Sequence, residues 1–230
     1  MKKLVLGDIH GLTCWKDIIS KENPDQVIFL GDYVSTHLLV TQQQQIDNFY
    51  EILDYKESNS DKVILLRGNH LTQHLGYYWA SCSGYFRKVA ETLSRERDRI
   101  LNDTQWIYKE NNIIFSHAGV SQIWLDSSGI ISVDNINDKE PSEIFGFCPG
   151  PDNPFDMYGD SIYQSCEWIR PDSLYKSAVE NTIQVVGHTN YGKVVKKYNE
   201  ERNVTIYLCD ALPDEYLIIE DGNFIIKKNE

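Results

Sequence analysis

The sequence predicts an α/β fold, on two observations. Five short apolar runs rich in β-branched residues end abruptly in Gly, Asp, His or Asn, as buried strands do when their carboxyl ends carry polar groups into a cleft. Segments with helical spacing follow the first of these runs, giving the β-α-β alternation of a parallel sheet. No Pro/Gly/Ser-rich linker divides the chain, so residues 1–230 are expected to form one domain.

The first run, Lys3 to Leu6, leads into Gly7-Asp8-Ile9-His10, and Leu12, Trp15, Ile18 and Ile19 continue at helical spacing to about Lys21. Asn23-Pro24-Asp25 turns the chain into the second run, Gln26 to Leu30, which ends in Gly31-Asp32. Right-handed crossover makes these strands parallel neighbours and brings Asp8 and Asp32 to the same edge. A second helix is predicted over 41–55, where Ile46, Phe49, Ile52 and Leu53 form the apolar face and Gln42 to Gln45 read as a solvated first turn. The third run is Val63 to Leu66, followed by Arg67-Gly68-Asn69-His70.

Residues 71–111 read as mainly helical. Tyr77, Tyr78, Trp79, Tyr85 and Phe86 either pack this segment on the sheet or wall a substrate groove, and the alternating charges from Arg95 to Arg99 face water. Ile113 to Phe115 then runs into Ser116-His117-Ala118-Gly119, and Thr182 to Val186 into Gly187-His188-Thr189. Between them the pattern weakens. Residues 146–160 are rich in Gly, Pro and Asp, a long loop expected to roof the cleft. Val204 to Cys209 reads as a strand, and Tyr216 to Ile219 with Phe224 to Lys227 as a hairpin around Asp221-Gly222-Asn223; these strands are expected to complete a second sheet.

Strand ends from distant parts of an open α/β sheet converge on one crevice. Asp8, His10, Asp32, Asn69, His117 and His188 would there make a mixed oxygen and nitrogen set suited to divalent transition metals. His70 is left over, and an unligated imidazole beside a dinuclear centre is the expected place for a proton donor or acceptor.

The blocks GDIHG, GDYV, RGNH, FSHAGV and VVGHT occur in that order across nearly the whole chain. In them the sequence resembles the calcineurin-like metallophosphoesterases, nearest to the PPP-type serine/threonine protein phosphatases of bacteria and phages. The resemblance implies two mixed β-sheets packed as a sandwich flanked by helices. It implies two divalent ions, one held by Asp8, His10 and Asp32, the other by Asp32, Asn69, His117 and His188, with Asp32 as the bridge. Manganese is the expected metal, and iron, zinc, nickel or cobalt also suit such donors. It further implies hydrolysis of a phosphate ester by a hydroxide bridging the ions, with His70 protonating the leaving alkoxide. Trp168-Ile169-Arg170-Pro171 is similar to a tryptophan-x-arginine element of bacterial and phage members whose arginine faces the phosphate. Arg170 is therefore expected to bind substrate alongside Asn69.

Phosphoserine or phosphothreonine in proteins is the expected substrate. Diadenosine tetraphosphate or another nucleotide is the alternative, with Tyr77, Trp79 and Tyr158 offering faces for a base, and a non-catalytic phospho-ligand binding module is the third reading.

The chain departs from the family pattern after Gly31-Asp32-Tyr33-Val34. Ser35 and Thr36 stand where relatives carry an Asp that orients the catalytic histidine and an Arg that binds phosphate, and Leu71 replaces a Glu. His37 either substitutes for that Arg at the phosphate or is simply exposed.

With 34 acidic residues against 22 basic ones, the formal charge is −12, which argues against sequence-independent binding to nucleic acid. Five cysteines without a C-x-x-C pair fit neither a zinc ribbon nor a secreted disulfide framework. No apolar segment is long enough for a signal-peptide core or a membrane span, so no membrane association and a cytoplasmic location are expected.

Overall fold

Alternate residues of the first strand leave in opposite directions, and that alternation builds the layers. The structure, a computed structural model, describes residues 1–35, 39–76, 82–144 and 160–230. Its strands are β1 (Lys2–Leu6), β2 (Gln26–Phe29), β3 (Val63–Leu66), β4 (Thr104–Gln105), β5 (Ile107–Glu110) and β6 (Ile113–Ser116). These are followed by β7 (Ile183–Val186), β8 (Val195–Asn199), β9 (Val204–Leu208), β10 (Glu215–Glu220) and β11 (Asn223–Lys228). One mixed sheet has the order β11-β10-β1-β2-β3-β4 and the other β5-β6-β7-β9-β8. Val5, Ile28, Leu30 and Leu66 from the first meet Phe115, Val185 and Tyr207 from the second in the core between the sheets.

Leu4, Leu6, Val27, Phe29 and Leu65 face the other way, onto α1 (Trp15–Glu22) and α2 (Gln42–Ser58), which contribute Trp15, Ile18, Ile46, Phe49, Ile52 and Leu53. After the one-turn α3 (Asn69–Thr72), α4 (Arg87–Leu93) and α5 (Arg97–Asp103) extend that layer through Val89, Leu93 and Ile100. On the second sheet, α6 (Gln122–Ser127), α7 (Pro141–Ile144) and α8 (Pro171–Ser177) bury Trp124, Ile144 and Leu174. Two mixed sheets flanked by helices are thus the observed architecture. No helix among the described residues is long and apolar enough to cross a membrane.

Three expectations are corrected. Gln45 is buried rather than solvated, because its amide accepts the Ser35 N–H at 2.7 Å and donates to the Val40 carbonyl at 3.1 Å. Its neighbour Gln44 does serve the first turn, closing a capping box with Thr41. The C-terminal hairpin joins the first sheet, not the second: β10 runs antiparallel to β1, with Tyr216 and Ile218 on the helix side and Leu217 and Ile219 in the inter-sheet core. A run apolar on both faces belongs to a strand covered on both sides. Finally, 71–111 is less helical than its composition suggests, since its last part forms β4 and β5.

Candidate metal centre

The predicted donors all lie at or just beyond strand ends. Asp8 follows β1, Asp32 follows β2, Asn69 and His70 follow β3, His117 follows β6 and His188 follows β7. Because β1, β2 and β3 are parallel neighbours, as are β6 and β7, both sheets deliver their polar ends to the same place. One atom from each of Asp8, His10 and Asp32 lies within a common 4.8 Å, and the same holds for Asp32, His117 and His188. Asp32 belongs to both groups. Asn69 joins the second, its Oδ1 standing 3.0 Å from His117 Nε2.

Backbone groups aim these side chains. Each imidazole directs one ring nitrogen at a carbonyl: His10 Nδ1 at Val34, 2.9 Å; His117 Nδ1 at Leu30, 3.0 Å; His188 Nε2 at Trp168, 3.1 Å. Donation to the carbonyl fixes the tautomer, so the opposite nitrogen of each ring carries its lone pair inwards. The carboxylates are treated in parallel. Asp8 Oδ1 accepts the His188 backbone N–H at 2.9 Å and Asp32 Oδ1 that of His70 at 3.0 Å, leaving one oxygen of each for the site. Glycine is required where this happens, since a Cβ on Gly187 would strike Asp8 Oδ1 and one on Gly68 would strike Asp32 Oδ1. His10, Asp32 and His188 also adopt left-handed φ of 44°, 46° and 66°, backbone strain of the kind that collects at functional sites.

This donor set fits divalent ions. His117 Nε2 and His188 Nδ1 are 3.2 Å apart, two lone-pair-bearing nitrogens facing one another, an arrangement that requires a proton or a metal ion between them. Electrostatics among the side chains say the same. Burial works against charge on His117, yet Asp32 and Asp8 outweigh it and push its pKa up to about 10. Burial likewise works against the Asp32 carboxylate, but His117, His70 and His10 hold it well below the usual range. Asp8 moves the other way, raised by burial and by Asp210. The site thus binds protons tightly where ions would otherwise sit.

His70 stands beside this cluster. Its Nε2 is 4.0 Å from Asp32 Oδ2, its ring meets that of His10 edge to face at 5.5 Å, and burial lowers its pKa to about 4 despite Asp32. Arg170 bonds through Nη1 to the His188 carbonyl at 3.3 Å and to Thr189 Oγ1 at 3.1 Å, within the field of Asp32, Asp8 and Asp210. Arg67 turns away: it bonds Thr104 and the Leu101 carbonyl and stacks on Trp106, tying β3 to β4. Leu71 packs in the helix-side core, and the Ser35 hydroxyl makes no hydrogen bond among the described residues. His37, Thr36, Tyr77, Tyr78, Trp79, Tyr158 and the 146–159 part of the expected roof lie outside the described residues.

Three side chains of this neighbourhood escaped the sequence reading. Gln73 reaches His70 Nδ1 at 3.2 Å, and its signal was the one-turn spacing from His70. Asp210 follows β9 as Asp8 follows β1, the same strand-end grammar, and accepts from Asn190. Glu167 is buried, accepts the Thr72 hydroxyl at 2.5 Å and has its pKa raised to about 7 by burial; nothing local in the sequence marks it.

A family model for calcineurin-like phosphoesterases matches residues 1–209. No curated protein sequence matches the chain. Among solved structures, a cold-active protein-tyrosine phosphatase of a psychrophilic Shewanella species is similar at TM-score 0.63 and 17% identity, over 99% of this chain and 77% of that one. A protein serine/threonine phosphatase from Saccharomyces cerevisiae aligns at TM-score 0.58 and 14% identity, covering 100% and 80%. A metallophosphoesterase from Sphaerobacter thermophilus aligns at 0.52 and 13%, covering 100% and 89%. At these identities the likeness is one of fold.

Proposed function

The chain belongs to the calcineurin-like phosphoesterases, and from that premise we propose a dinuclear-metal-dependent hydrolase of phosphate monoesters, acting on phosphoserine and phosphothreonine in proteins. The observation that carries the reading is the place of Asp32 in both groups of potential metal-binding side chains. Asp8, His10 and Asp32 would hold one divalent ion, and Asp32, Asn69, His117 and His188 the other. When bound, such ions activate water and neutralise charge on a phosphoryl group. Manganese is the ion we propose, with iron, zinc, cobalt and nickel compatible with the same donors.

The chain's own residues supply the rest. The Arg170 guanidinium, braced by His188 and Thr189, offers charge-assisted hydrogen bonds to a phosphoryl oxygen. His70 presents Nε2 to the leaving oxygen from beside Asp32. Burial of Asp32, Asn69 and His117 keeps bulk water from competing for the site. Phosphorylated proteins are favoured as partners because two of the similar folds carry names of protein phosphatases. The reading includes one catalytic domain over 1–230 and a cytoplasmic setting, the latter supported by free Cys14, Cys82, Cys166 and Cys209.

The test is a substrate panel offered to metal-reconstituted protein: phosphoserine, phosphothreonine and phosphotyrosine peptides, diadenosine tetraphosphate and an aryl phosphodiester. Fastest turnover of the phosphoserine or phosphothreonine peptide supports the proposal. Preference for the dinucleotide would replace the substrate class, and no turnover with any of the five metals would overturn the hydrolase itself.

A further inference from the structure

Gln73 is sealed from solvent, and all of its amide atoms are engaged. Its Oε1 accepts the backbone N–H of Cys82 at 3.1 Å, while its Nε2 points at the Ser83 carbonyl, 3.4 Å, and at His70 Nδ1, 3.2 Å. The two backbone partners orient the amide. Turning it over would set NH₂ against the Cys82 N–H and oxygen against the Ser83 carbonyl, replacing two part-buried hydrogen bonds by two repulsive contacts. An amide hydrogen therefore faces His70 Nδ1, and that nitrogen must accept.

We propose that Gln73 is the positioning residue of His70, holding the ring in the tautomer with its proton on Nε2 and aiming that N–H into the metal centre. The ring has little freedom to do otherwise. His10 meets it edge to face, and a Cβ at Gly84 would stand 3.8 Å from its Cε1. The segment carrying Cys82 and Ser83 is itself tied to the turn that carries Gln73, because His74 donates from Nδ1 to the His70 carbonyl at 2.6 Å and accepts the Phe86 N–H on Nε2 at 3.0 Å. The family resemblance leads one to look to position 35 for the group that orients this histidine, but here the side chain on Nδ1 is an amide donor. His70 therefore works from Nε2 as a hydrogen-bond donor toward the phosphoryl or leaving-group oxygen, an inference that rests on the phosphoesterase reading for its catalytic half.

Long-range ¹⁵N–¹H correlation spectra of ¹⁵N-histidine-labelled protein test it, as purified and after loading with diamagnetic zinc, with His70 assigned by the signals lost in His70→Asn. In wild type the spectrum should show a pyrrole-like Nε2 and a pyridine-like Nδ1. Gln73→Leu should give a mixture of tautomers, and Gln73→Glu, which keeps the shape but accepts instead of donating, should move the proton to Nδ1. A proton on Nδ1 in wild type, or an unchanged pattern in Gln73→Leu, overturns the proposal. The kinetic half is a roughly tenfold fall in kcat for Gln73→Leu, with KM within about twofold and metal content intact, on the scale of losses for groups that orient catalytic side chains; an unchanged kcat overturns that half. The spectra need no turnover. If wild type hydrolysed nothing, the hydrolase reading would fall while the tautomer still decided the role of Gln73.

Discussion

Nε2 of His117 stands 3.2 Å from Oδ2 of Asp32, and both side chains are sealed from solvent. A buried imidazole and carboxylate at that distance share a proton strongly, which is why His117 is pushed up to about 10.

Metal uptake should therefore release protons. At neutral pH an incoming ion displaces the proton that His117 holds, so affinity should rise with pH by about tenfold per unit for each proton released, levelling off above the histidine's pKa. Calorimetric titration with manganese at pH 7, in two buffers of different ionisation enthalpy, should report about one proton released per chain. A buffer-independent enthalpy would show that the pair carries no proton for metal to displace.

Asp32→Asn removes the carboxylate common to both donor groups. Turnover should become undetectable, and elemental analysis should find one ion or fewer per chain. Wild-type metal content with wild-type turnover would refute the shared-ligand assignment.

His70→Asn should leave metal content intact and lower kcat by about 10²–10³, the usual scale for a lost hydrogen-bond donor to developing charge. The loss should be smaller for an aryl phosphate, whose leaving oxygen needs less help, than for an alkyl one. Equal losses on both would make His70 a binding or structural residue.

Glu167 governs stability in the opposite sense from a paired surface carboxylate. Burial raises its pKa to about 7 from 4.5, so the folded chain binds the proton more tightly than the unfolded one. That contribution is complete below pH 4.5 and is lost as pH rises through 7, a few kcal/mol in all. Denaturant unfolding should show a shallower pH slope for Glu167→Gln than for wild type across this window, and a more stable variant above it. Matching slopes would mean that Glu167 is not protonated in the fold.

What the sequence made legible were features that short stretches carry by themselves. An apolar run that stops at glycine and a polar residue marks a strand end, and so Asp8, Asp32, Asn69, His117 and His188 could be gathered from the residue pattern alone. Other features depend on partners distant in the chain. Gln45 is buried where its amide bonds the backbone of Ser35 and Val40, outside its own helix, and Glu167 where Thr72 approaches from α3. β8 eluded the reading because its exposed edge carries Lys196 and Lys197 in succession, which blurs the alternation of a half-buried strand. Gln73 was within reach, one turn from His70, but its meaning depends on Cys82 and Ser83 fixing its amide.

The central claim is that one shared carboxylate organises two ions into a phosphate-ester hydrolase. Its most direct test is a manganese titration of the metal-stripped protein, following bound metal and hydrolysis of a phosphoserine peptide in the same samples. The account predicts no turnover at zero metal and activity that reaches its plateau as the second ion per chain is taken up. Turnover without metal, or full activity with a single ion bound, would contradict it.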